Sequence, residues 1–155
     1  MRVNTNTEGL RSVPEQFNNE NVESNFLENT NNHLKMESEK KISEKIFLCV
    51  KDGHISNVES LLNSNGDPNF QTEYGETPLI VASTWGQKEV VRLLLEHGAD
   101  LNLQDEQGHT ALMTASWAGN VDTSELLLKR GANPDIVDDK GRTALDWANI
   151  GRLLS

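Results

Sequence analysis

Cysteine occurs once in 155 residues, at Cys49, so no disulfide within the chain can staple the fold. No apolar run approaches the length of a bilayer span, and Arg2 is not followed by the apolar stretch of a secretory leader. Neither a membrane anchor nor such a leader is expected. Positive charge is scarce as well. Fourteen Lys and Arg stand against 24 Asp and Glu, a formal charge of −10, and residues 42–155 hold nine of the former and seventeen of the latter. Binding a phosphate backbone or an anionic bilayer needs clustered Lys and Arg, so neither nucleic acid nor a membrane is expected as a partner. A basic or neutral protein surface suits this charge better. A cytoplasmic protein is expected; a nuclear one, or one exported by a signal-independent route, is compatible with the same features.

The patterns that carry chemistry are missing too. His33, His54, His97 and His109 share no metal-ligand spacing, and no paired-cysteine or twelve-residue calcium-loop pattern occurs. There is no Gly-x-Ser-x-Gly elbow, no Gly-x-x-x-x-Gly-Lys-Ser/Thr loop and no Gly-x-Gly-x-x-Gly fingerprint. Asp135, Asp138 and Asp139 cluster in a turn-like stretch with no positioned base beside them, and read as a solvated loop. No catalytic residue, cofactor or metal is expected.

What is present divides the chain in two. Between Asn4 and Asn32 lie nine asparagines mixed with Glu, Thr and Ser, and the few apolar residues keep no period. Such a segment buries too little apolar area to offset its ordering entropy, so residues 1–36 read as a disordered tail. Residues 37–155 keep strict time. Gly75/Thr77, Gly108/Thr110 and Gly141/Thr143 recur at one fixed interval, as do Gly53, Gly86 and Gly119, Leu61, Leu94 and Leu127, and Cys49, Ala82, Ala115 and Ala148. Cys49, in this register, reads as a small buried residue. A unit as short as this interval cannot bury its own apolar face, so the copies must stack and share a core.

The copy 72–104 shows how each unit is built. Thr77 supplies an N-cap hydroxyl ahead of Pro78, whose fixed φ suits the first helical position, and Gly86 ends that short helix. Lys88 to His97 then places Val90, Val91, Leu94 and Leu95 on one face opposite Lys88, Glu89, Arg92 and Glu96, and Gly98 closes it. The Asp, Asn and Gly residues of 100–108 predict a turn or short hairpin between units. The copy 105–137 repeats the plan. The opening copy, 37–71, lacks the Thr-Pro start and reads as an N-terminal cap, its first helix reaching back toward Ser38; the last, 138–155, reads as a truncated cap that frays.

Gly75-Glu76-Thr77-Pro78-Leu79, Leu93-Leu94-Leu95 and Gly98-Ala99-Asp100-Leu101-Asn102 resemble the ankyrin repeat. The resemblance implies an all-α ankyrin-repeat solenoid of helix-loop-helix units with β-hairpin or turn connections, which binds other proteins. In one respect this chain departs from the family: Ile80, Met113 and Asp146 stand where the Thr-Pro-Leu motif is followed by histidine, so interior packing replaces a Thr–His network.

Candidate contact residues come from two places. Trp85 and Trp117 fall at the ends of first helices in adjacent copies, on the side that the resemblance assigns to the concave groove, and Trp is enriched at binding hot spots. Trp147 aligns with Val81 and Thr114 and reads as packing. The turn tips supply Glu73, Tyr74 and Glu76; Glu106, Gln107 and His109; and Asp139, Lys140 and Arg142, whose side chains are expected to be without packing duties. The chain therefore reads as a monomeric, non-enzymatic adaptor or inhibitor that covers a partner's surface. An accessory or effector subunit whose tail is the working part stays open, and an enzyme is the remote alternative.

Overall fold

In the computed structural model the described residues are 19–155, and they fall into two units divided between Ser38 and Glu39. Among the described residues seven helices run in chain order: α1 Asn19–Asp52, α2 Ile55–Asn63, α3 Pro78–Thr84, α4 Lys88–Glu96, α5 Ala111–Trp117, α6 Val121–Lys129 and α7 Ala144–Leu154. Among the described residues there is no strand.

α3, α5 and α7 start where the sequence chemistry requires. Thr77 is extended and its hydroxyl accepts from the Ile80 N–H, while Pro78 opens α3; Thr110 and Thr143 repeat the cap on Met113 and Asp146. At α7 the exchange is mutual, because the Asp146 carboxylate also accepts from the Thr143 N–H at 2.9 Å. Gly86 ends α3 at φ +67°, a conformation costly for any residue with a Cβ, and lets the Gln87 N–H reach the Ala82 carbonyl at 2.9 Å. The missing histidines are replaced by interior packing at two of the three positions, whereas the exposed Asp146 bonds Thr143 through its carboxylate. Ile80 and Met113 are buried in the shared core, and the Thr caps work through backbone N–H groups instead.

Within residues 39–155, first helices pack on first helices (α3 on α5, α5 on α7) and second helices on second (α2 on α4, α4 on α6). Val50, Val58, Leu79, Ala82, Val91, Leu94, Ala115 and Leu127 form the core between them, each buried completely or nearly so. A fully buried leucine or valine contributes about 1.5–3 kcal/mol, so the stacking faces dominate stability. Polar rungs fix the register. The Gln87 side chain donates to the Val50 carbonyl at 2.9 Å, and Asn120 donates to the Ser83 and Thr84 carbonyls, both at 2.9 Å.

Two expectations need correction. Positions 1–18 of the expected disordered tail lie outside the described residues, but over 19–36 the chain is helical, part of the long α1. Residues 21–38 bury no side chain. Extending a helix that is already nucleated adds one hydrogen bond per residue fixed, and the His33–Glu37 pair at i, i+4 lies along it. Cys49, expected to be buried, is half-buried against the core.

Candidate protein-interaction groove

Each copy projects a tight finger between its helix pairs, organised by one residue that recurs in register from copy to copy: Thr72, Asp105 and Asp138. Thr72 Oγ1 accepts from the N–H of Tyr74 and Glu76, Asp105 Oδ1 from Gln107 and His109, and Asp138 Oδ1 from Lys140 and Arg142. The side chain thereby does what a strand partner would do in a hairpin. Neighbouring fingers are tied together. The Glu106 N–H donates to the Tyr74 carbonyl at 3.0 Å and the Asp139 N–H to the Gln107 carbonyl at 3.1 Å. Gln104 spans the same gap, donating to the carbonyls of Gly108 at 2.7 Å and Val137 at 3.0 Å.

Asp138 is the best-satisfied side chain of the groove and corrects the reading of its cluster as a solvated loop. It is only 5% exposed. Besides its two backbone donors it receives, at Oδ2, Arg142 Nε and Nη2, both at 2.8 Å, and Trp147 Nε1 at 3.0 Å. Burial raises its carboxyl, but the backbone and side-chain donors of Arg142, the Lys140 N–H and Trp147 outweigh that and hold it well below the usual carboxylate range. The Arg142 guanidinium lies 4.1 Å from the centre of the Trp147 ring, and His109 meets the same ring edge-on at 5.1 Å. His109 in turn bonds Asp105 Oδ2 at 3.1 Å.

In the angle between the fingers and the first helices lies a recess of about 330 Å³. Ile80, Met113 and Thr114 line it from α3 and α5, Trp117 and Trp147 are at its sides, and Glu76, Gln107 and His109 reach it from the fingers. It is open to solvent, apolar within, and edged by carboxylates.

Among the candidate residues, Glu76, Gln107, His109 and Trp117 come together at this recess. Glu73, Tyr74, Glu106, Asp139 and Lys140 are exposed on the finger tips, and Trp85, 68% exposed, stands outside the recess lining. Trp117 is 44% exposed. The expectation that tip side chains carry no packing duties fails for His109 and Arg142, which are held by Asp105, Asp138 and the Trp147 ring. Trp147 packs as expected, yet it also forms a wall of the recess, which its register alone could not show. Among the described residues no group of His, Cys, Asp and Glu is placed to hold a metal ion, and no helix is long and apolar enough to cross a membrane.

Helix pairs stacked at a constant sequence interval with linked fingers agree with a comparison to known families: residues 46–138, more than half of the chain, match ankyrin repeats in three copies. The chain belongs to the ankyrin-repeat family. No curated protein matches it in a direct comparison. Ankyrin repeats are generally protein–protein interaction modules and typically not enzymes. The match begins at Ile46, inside α1, and ends at Asp138, the finger residue that anchors the Trp147 wall.

Proposed function

We propose that this ankyrin-repeat chain is a non-enzymatic adaptor or inhibitor that covers a partner protein's surface along the groove between its fingers and first helices. The observation that carries the reading is Trp117, an indole 44% exposed at the side of an apolar recess on a molecule with a well-filled core elsewhere. An exposed tryptophan gains little in the unbound protein and much on being covered. Interlocked fingers hold the contact groups in place beforehand, so little ordering entropy is lost on binding. The protein acts as a monomer in a cytoplasmic setting, with no nucleic acid or membrane as partner; the acidic surface supports that choice.

Quantitative capture from a lysate tests it, comparing the intact chain with Thr114→Arg, which fills the recess, and Trp117→Ala. Proteins enriched by the intact chain should be lost by at least about tenfold with either variant, as for an interface hot spot of roughly 1.4 kcal/mol or more. Equal capture by all three would remove the groove from the account.

A second reading rests on α1, whose residues Val22, Phe26, Leu27, Leu34 and Met36 are all exposed. Five bare apolar side chains in the stretch 22–36 support an accessory role in which the N-terminal segment is the working part and the repeats dock it. Phe26→Glu with Leu34→Glu separates the two: under this second reading the repeats still bind their partner while the downstream effect disappears.

A further inference from the structure

We infer that the recess is a socket for one long cationic side chain, Arg or Lys, presented by a basic extended segment of the partner. The inference rests on the groove reading above and names the chemistry of what enters. Three observations converge on it. The lining includes the indoles of Trp117 and Trp147 and the apolar side chains of Ile80 and Met113, which suits the aliphatic stem of such a side chain. At the rim, the Glu76 carboxylate has no partner among the described residues, its only recorded bonds being those of its backbone N–H and carbonyl with Thr72. The surrounding sequence is acidic on balance: between residues 53 and 128 two cations, Lys88 and Arg92, stand against eleven Asp and Glu, and beyond it Arg142 is paired with Asp138. A long-range field of this kind speeds the approach of a basic segment and rejects acidic ones.

The chain already displays the same chemistry beside the recess. Arg142 places its guanidinium on the Trp147 face with a carboxylate, Asp138, at 2.8 Å. That charge is neutralised within its own pair, so it does not bar a second cation. Trp117 and Glu76, both lining the recess, offer an incoming group an indole and a carboxylate without an internal occupant. The arrangement selects for charge on a long stem and against a short or neutral side chain.

The test uses the whole chain labelled with ¹⁵N and follows the three indole N–H signals during titration with a capped Gly-Arg-Gly tripeptide and its citrulline analogue, which keeps the shape and removes the charge. The arginine peptide should shift the Trp117 signal saturably and bind at least about fivefold more tightly than the citrulline peptide, with Trp85 unmoved. Glu76→Gln should reduce that preference by about threefold or more, the undisturbed spectrum showing that it remains folded. Equal binding of the two peptides, no saturable shift at Trp117, an equal response of Trp85, or an unchanged preference in Glu76→Gln would each overturn the inference. If these fail while Thr114→Arg still abolishes partner capture, the groove reading stands and only the cation is lost.

Discussion

Arg142 and Trp147 donate to the same oxygen of Asp138, from 2.8 Å and 3.0 Å, while the guanidinium lies 4.1 Å from the indole centre. One buried carboxylate thus fixes a finger, the wall of the recess and the start of α7. Charge-assisted bonds are strong and costly to break on one side, so Asp138→Asn should destabilise the chain by about 1–3 kcal/mol in urea unfolding at pH 7. The sign with pH follows from the lowered carboxyl. Its contribution is complete above the ordinary aspartate range, near pH 4, and is lost progressively as pH falls toward the folded-state value. The difference between the native chain and Asp138→Asn should therefore shrink at pH 3. A constant difference would show that the lost stability is not the ionised carboxylate's.

Glycine is needed at the fingers for two separable reasons. Gly108 and Gly141 share a left-handed φ, +83° and +73°, but a Cβ on Gly108 would stand 2.9 Å from the Cα of Asp138, whereas a Cβ on Gly141 meets nothing within 4 Å. Gly141→Ala should cost only the conformational term, about 1 kcal/mol, and Gly108→Ala about 2 kcal/mol or more because the next finger must move. Unfolding midpoints of the two variants compare them directly.

Two buried serines should behave oppositely. The Ser83 hydroxyl is wholly buried and has no hydrogen-bond partner among the described residues, whereas Ser43 donates to the Glu39 carbonyl at 2.8 Å and accepts from the Asp67 N–H at 3.0 Å. Ser83→Ala should leave stability unchanged or raise it by up to about 1 kcal/mol, and Ser43→Ala should lower it by about 1–2 kcal/mol. Thermal unfolding reads both.

Protection from hydrogen exchange should fall along α7. Gly151 packs against the Trp117 carbonyl so closely that no side chain fits between them, and beyond it Leu153 is 86% exposed. Amides up to that contact should exchange with those of α3 to α6, and the last turn faster. Uniform protection from Ala144 to Leu154 would contradict this.

How far the sequence leads can be judged from these residues. The Gly75/Thr77 beat contains the caps, the helix pairs and the stacking faces, because each depends on chemistry local to one unit. The helix over 19–36 was hidden, since it buries nothing and leaves no apolar period. Asp138 misled for a different reason: its partners Arg142 and Trp147 lie further along the chain, and only the folded finger brings them back. A signal was present even so. Asp105 with His109 and Asp138 with Arg142 hold the same i, i+4 offset in successive copies, which marks a repeated side-chain pair instead of a solvated loop. The groove's exposed tryptophan was legible from register, but the recess beside it needed Trp147, assigned by alignment to packing alone.

The most direct test of the central claim is site-specific photo-crosslinking in cells, with the reactive amino acid placed at Trp117 or Gln107 in the groove and at Arg92 on the outward face of α4. The account predicts an adduct with a partner protein from the two groove positions and none from Arg92. Adducts of the same protein from Arg92, with none from Trp117 or Gln107, would place the interface on the opposite face and contradict the account.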